Sequence, residues 1–225
     1  MPNLSEDEHT LVSAAVAEAE STTAGEIVTV VANRSDGYSD VALAWSAIVA
    51  FTAIAALMFF PDFYLGLVDR LLGGWNNEWT PRGIFGLALA VGIIKFGAMW
   101  LLQLWQPLKF LLIPAPIKTR RVRLRAISLF KVGAERRTRG RTGVLIYLSM
   151  REHRAEIVAD AAIASKVAPE IWGEAMAAML AELKDGRGCG SGLAAAVTEV
   201  GKVLSENFPR DSDDINELPD RLIEL

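Results

Sequence analysis

Three aspartates raise the first chemical question in this chain. Asp36 and Asp40 lie in the polar stretch "NRSDGYSD", and Asp160 closes the run "AEIVAD". Carboxylates gathered at one sheet edge would suit Ca2+ or Mg2+, because hard cations take oxygen ligands. Neighbouring parallel strands end on the same edge, so loop carboxylates that follow them can meet there. Asp160 would follow an antiparallel strand and would have to bend round to join them. EF-hand spacing and a DxDxG pattern are both missing. Ordinary solvated loop aspartates are therefore the stronger competing reading.

A second candidate is "DGRGCGSG", Asp185 to Gly192. Glycine-rich backbone ahead of a helix can cradle an anion. Here the stretch follows a helix rather than a strand, lacks the P-loop lysine, and has Cys189 where a GxSxG frame needs its first glycine. It reads as a helix–helix connection with Ser191 as N-cap. Cys189 is the only cysteine, so there is no disulfide framework. Beside a helix N-terminus its pKa is expected to fall. No histidine is near it in sequence, which leaves a nucleophilic role without a base. His9 and His153 lie far apart. No catalytic residue is assigned.

These residues sit on a split framework. Ser5 and Glu8 have capping-box spacing, and Leu11, Ala14, Ala15, Glu18 and Ala19 follow at helical intervals, predicting a helix over 5–21. Glu26 to Ala32 is Val- and Ile-rich and reads as a strand. Val41 to Phe60 then runs about 20 residues without a charge, enough to cross a bilayer core. Pro61 to Arg82 is expected to be a short loop, with Trp75 and Trp79 suited to a membrane–water interface. A second span follows, in one of two registers. Ile84–Trp105 would centre Lys95 in the bilayer, whereas Phe96–Ile113 would place it at an interface. Lys95 could mark an ion path, but snorkelling is favoured because no intramembrane acidic partner is visible.

Charge gives the orientation. Lys109, Lys118, Arg120, Arg121, Arg123, Arg125, Lys131, Arg136, Arg137, Arg139 and Arg141 follow the second span. By the positive-inside rule both ends face the cytoplasm. The basic run lacks the interleaved aromatics that stack bases, so it suits anionic lipid headgroups rather than nucleic acid. "MPNLSEDEHTLV" shows no cleavable signal peptide.

Thr119–Arg137 is expected to be a basic helix with Val122, Ala126, Phe130 and Gly133 on its apolar stripe. Gly143–Ser149 is an apolar strand buried on both faces, and 155–160 pairs back on it. Pro169–Lys184 and Ser191–Asn207 read as amphipathic helices. From Pro209 the tail is acidic and expected to be loose. The fold class is therefore α/β, a small mixed β-sheet covered by helices and split by a two-helix transmembrane hairpin. The parts are 1–40 and 119–208 for the soluble domain, 41–113 for the hairpin (about 41–60 and 84–113), and 209–225 for the tail.

The segments "TAGEIVTVVANRSDGYSDVAL", "RTGVLIYLSMREHRAEIVADAAIASKVAPEIWGEAMAAML" and "GLAAAVTEVGKVLSENFP" resemble the TPM domain family. That family occurs in thylakoid-lumen proteins linked to photosystem repair and in many bacterial membrane proteins. The resemblance covers about 20–40 and 119–209. It implies an α/β sandwich with a small sheet, acidic sites for divalent cations in some members, and a weak acid phosphatase activity in plant members. The membrane hairpin is similar to that of a bacterial subgroup, which implies the bacterial inner membrane.

The function expected on these grounds is a membrane-anchored scaffold that recruits a protein partner and contacts membrane lipid. The alternatives are a weak metal-dependent phosphatase and an accessory component of a transport complex. No small-molecule substrate is identified.

Overall fold

The computed structural model describes residues 4–72, 79–133, 142–210 and 220–225. The chain divides into two compact units, one of residues 1–36 with 115–225 and one of residues 37–114.

The larger unit opens with helix α1 (Glu6–Glu20). Ser5 Oγ accepts from the Glu8 N–H at 3.2 Å, and the Ser5 N–H donates to Glu8 Oε2 at 2.9 Å. This reciprocal capping box satisfies two of the donors a helix start leaves open. Strand β1 (Glu26–Ala32) follows.

After the hairpin come helix α6 (Ala115–Gly133) and strands β2 (Gly143–Ser149) and β3 (Arg154–Ala159). Short helix α7 (Ala161–Ala164), a 3-10 turn at Pro169–Ile171 and helices α8 (Trp172–Lys184) and α9 (Cys189–Asn207) complete the cover. Strand β4 (Ile223–Glu224) ends the chain.

The sheet order is β3-β2-β1-β4, with β1 parallel to both β2 and β4 and β3 antiparallel to β2. Every residue of β1 and β2 is buried, because helices lie on both faces. Ile27, Val31, Val144, Ile146 and Leu148 face the cluster built with α1, α8 and α9. Val28, Val30, Leu145 and Tyr147 face Val122, Ala126 and Phe130 of α6. The two-residue period of the strands sends alternate side chains to the two layers.

The end of the chain corrects the expectation of a loose tail. Ile223 and Glu224 pair with Val30 and Val31, and Leu225 exchanges backbone hydrogen bonds with Val31 and Asn33 at 2.9 Å. β1 would otherwise present an unpaired edge, and the terminus satisfies it. His9 Nε2 lies 2.6 Å from Glu224 Oε1 and ties the same strand to α1. Residues 211–219 of the acidic tail, the interfacial Trp75, and Arg136, Arg137, Arg139 and Arg141 of the basic run lie outside the described residues.

The second unit contains two helices long and apolar enough to cross a membrane, α2 (Ser39–Phe59) and α4 (Pro81–Leu102), with mean hydropathy 2.2 and 2.0. Their facing sides carry small residues. Ala42, Ser46 and Ala50 are buried on α2. A Cβ added at Gly92 of α4 would lie 2.9 Å from Ile54 Cδ1. The Gln103 amide, just past α4, donates to Ala42 O at 3.0 Å and Ser46 Oγ at 3.3 Å. Residue 103 thus meets 42–46 while 92 meets 54, so the helices run antiparallel.

The expected loop after Phe60 instead begins as amphipathic helix α3 (Pro61–Leu72), opened by a proline that suits a first helical turn. Short helix α5 (Gln106–Leu112) returns to the base of α2. Trp45 Nε1 donates to Leu112 O at 3.0 Å, and the Tyr38 and Phe110 rings meet edge to face at 5.7 Å. The helix break at Gln103–Trp105 sets the register of the second apolar helix. Lys95 stands seven residues before Leu102, about 10 Å from that end at 1.5 Å per residue. It lines a groove of about 570 Å³ with Thr52 and Tyr64.

Candidate functional site

The parallel pairing of β1 and β2 brings both carboxyl-terminal ends to one edge of the sheet. There the segment leaving β1 meets the turn leaving β2. Glu152, almost fully buried, organises the junction. Its Oε1 accepts from the Ser35 N–H at 2.7 Å, and its Oε2 accepts from Ser149 Oγ at 2.6 Å. Ser35 Oγ lies 3.0 Å from both Tyr147 Oη and Ser149 Oγ. Tyr147 and Ser149 share one face of β2 because they are two residues apart.

Burial pushes the Tyr147 phenol above its ordinary pKa, against opposing hydrogen bonds from Ser35 and Ser149. At the same edge Asp36 Oδ2 pairs with Arg121 Nη1 of α6 at 2.6 Å. Arg151 Nε donates to Asn33 Oδ1 at 3.2 Å. The carboxylates here bind donors of the chain itself, joining three separate segments.

The structure does not bring Asp36 and Asp160 together. Asp160 N donates to Gly143 O at 2.9 Å, at the opening of β2. The six residue steps of β2 place the two edges about 20 Å apart. Because β3 runs antiparallel, its end lies at the far side of the sheet from the end of β1, and no bend returns it. Asp160 instead caps α7, accepting from the Ala161 N–H at 3.3 Å, while its buried Oδ2 has no hydrogen-bond partner. Asp40 lies in the first turn of α2, where a negative charge is favourable. Among the described residues no group of three or more His, Cys, Asp or Glu side chains is placed to hold a metal ion.

The glycine-rich turn also differs from expectation. α9 starts at Cys189, with Gly188 (φ 94°) as its N-cap rather than Ser191. The anion at this helix start is internal. Glu8 Oε1 accepts from the Gly190 N–H at 3.1 Å, and a Cβ on Gly190 would fall 2.6 Å from Glu8 Cβ. Hydrogen bonds from the Ser5 and Gly190 backbone hold the Glu8 carboxyl below its usual range. Burial, followed by the Glu8 charge, pushes the Cys189 thiol up rather than down. The dipole that would favour a thiolate is already answered by a carboxylate.

Sequence reasoning missed a second acidic group. Glu20, in the last turn of α1, is buried and accepts from the Ile27 N–H at 2.7 Å. Its pKa is pushed up to about 8, first by burial, then by the charges of Glu26 and Asp220 against the opposing Ile27 hydrogen bond. Arg210 and Thr23 line the same small cavity of about 70 Å³. Asp220 is distant in sequence, so nothing local signals this cluster. The Glu152 junction had a faint signal, two hydroxyl side chains at alternate positions of an otherwise apolar strand.

No family model matches this chain, and no curated protein matches it. A solved structure does: the NMR structure of BA42 protein from the psychrophilic bacterium Bizionia argentinensis, at 18% identity and a TM-score of 0.56. The match covers 99% of this chain and 95% of that one. At that identity the likeness concerns the fold alone, which is an α/β arrangement built on a small mixed sheet.

Proposed function

We propose that the chain is a two-pass protein of the bacterial inner membrane whose soluble unit, a TPM-like domain, faces the cytoplasm with both termini and serves as a scaffold that recruits a protein partner. The observation that carries this reading is the Glu152 junction. It clamps the segment that leads into the hairpin onto the central strand and the β2–β3 turn. Its carboxylate and hydroxyls are engaged in holding chain segments together, a positional role rather than a chemical one.

The anchoring half is supported by the apolar side chains that α2 and α4 turn outward. Phe51, Phe59, Phe85 and Ile94 are each 66–75% exposed, a surface that favours hydrocarbon over water. On α6, Arg120, Arg123, Arg125 and Lys131 are exposed. A cationic face that follows the second apolar helix in sequence, after the short helix α5, suits anionic headgroups.

Reporter tags placed before residue 37 and after residue 143 are expected on the cytoplasmic side, with a tag between α3 and α4 on the opposite side. Tags on different faces for the first two would end the reading. Full-length protein in nanodiscs is expected to leave an aryl phosphate intact with Mg2+ or Ca2+. Metal-dependent turnover abolished by Asp36→Ala would replace the scaffold with a phosphatase.

A further inference from the structure

The soluble unit concentrates its sulfur. Among its described residues the sulfur-bearing side chains are Met150, Met176, Met179 and Cys189, and all of them line one groove of about 510 Å³ between the β2–β3 turn and α8. The chain has six methionines in 225 residues, so three in one groove, beside the only cysteine, is a concentration that apolar filling does not require. Leu and Ile would fill the same space. Two of the sulfurs already touch, with Cys189 Sγ 3.4 Å from Met150 Sδ. His153, in a left-handed turn conformation (φ 49°), lines the same groove.

We propose that Cys189 and Met150, with the Met176 and Met179 thioethers along the wall and His153 at the rim, form a binding site for one soft monovalent cation of the Cu(I) type. Thiolate and thioether donors select Cu(I) and offer little to Mg2+ or Ca2+. Sulfurs 3.4 Å apart can share one ion: bonds of about 2.3 Å, as in zinc thiolates, subtend an angle of about 95°.

The ion displaces the thiol proton to solvent, forming one metal–thiolate bond and releasing one proton. Thiolate plus monovalent cation is neutral overall, so the complex suits an apolar groove and tolerates Arg154 and Lys184 at its margin. The Glu8 carboxylate, held at Gly190, lies close enough to act on Cys189 electrostatically and favours a cation there. This site is independent of the scaffold reading.

The test uses full-length protein in nanodiscs, anaerobic, with Cu(I) partitioned against a chromogenic chelator. One Cu(I) per chain is expected, held about tenfold more tightly for each pH unit of increase below the thiol pKa. X-ray absorption is expected to show two or more sulfurs at about 2.3 Å. Cys189→Ser should weaken binding about 100-fold and Met150→Leu about tenfold, at least the loss that removing a supporting residue causes.

Wild-type protein that yields Cu(I) as readily as Cys189→Ser overturns the proposal, since the ion is then adventitious. Met150→Leu binding as tightly as wild type also overturns it, since a lone thiol is then the ligand. The absorption spectrum needs no variant: a single sulfur in the wild-type shell overturns the proposal by itself.

Discussion

In the soluble unit β1 and β2 are covered on both faces, and carboxylates such as Glu152 and Glu20 are taken inward and satisfied there. In the hairpin unit α2 and α4 turn their largest apolar side chains outward and keep Ser46 and Gln103 between them. The two regions place polarity where their surroundings cannot supply it. In water, apolar surface is what must be hidden, and a buried carboxylate survives only with several donors. On the proposed membrane reading the hairpin lies in hydrocarbon, where apolar surface costs nothing and polar groups must find each other inside the helix pair. The soluble unit should therefore be sensitive to single buried polar changes and to pH, and the hairpin much less so.

The largest effect is expected at Glu152. Glu152→Ala leaves the Ser35 N–H and the Ser149 hydroxyl without their carboxylate. It should cost about 3–6 kcal/mol, at about 1.5–3 kcal/mol for each hydrogen bond to a charged group. Denaturant unfolding of the full chain in nanodiscs, followed by fluorescence of Trp172 in the soluble unit, measures it. A cost below about 1 kcal/mol, the size of an ordinary exposed polar contact, would place Glu152 outside any clamp.

Glu20 comes next. Its folded pKa of about 8 lies above the ordinary 4.5, so the native state holds a proton that the unfolded state has lost over that window. Stability from this group is complete below about pH 4.5 and is lost as pH rises through about 8, on the order of a few kcal/mol. Unfolding measured at pH 6 and pH 9 should show the decline, and Glu20→Gln should flatten it. A wild type more stable at pH 9 than at pH 6 would contradict the assignment.

A smaller effect is expected in the hairpin. Gln103→Leu removes the amide that bridges to Ala42 and Ser46, and interhelical hydrogen bonds in membranes contribute about 0.6–1.7 kcal/mol. Helix–helix association or steric trapping in bilayers reads this, with no change in the unfolding of the soluble unit. A large loss would erase the contrast between the regions. The smallest effect has the opposite sign. Thr29 Oγ1 is buried in β1 without a hydrogen-bond partner, so Thr29→Val should stabilise by about 0.5–1 kcal/mol.

Local patterns carried far into the structure where one element sufficed to satisfy them. The capping box at Ser5 and Glu8 is a three-residue arrangement, and it forms as spacing predicts. The β1 and β2 boundaries follow from Val- and Ile-rich runs, which are buried on both faces wherever helices cover both. The expected 155–160 strand lies at 154–159, and the first apolar helix begins two residues before the expected Val41. α3 (Pro61–Leu72) occupies the start of the stretch expected to be a loop, since proline opens a helix as readily as it ends one.

The candidate site was less legible. Asp36 and Asp160 are both at strand ends, and spacing alone does not say which sheet edge each occupies. The antiparallel direction of β3 decides it. Ser191 has the right residue type for a cap, yet Gly188 takes that place because Glu8, about 180 residues earlier, occupies the helix start.

Composition and period by themselves determined the α/β class, the two long apolar helices and the strands that carry the sheet, since each depends on neighbours a few residues away. Only the tertiary structure decided that the last three residues complete the sheet, that Glu152 and Glu20 are the consequential acids, and that Cys189 lies against Met150. Each of these depends on the dielectric and the donors supplied by distant segments, and burial by a partner far along the chain leaves no mark on the local sequence.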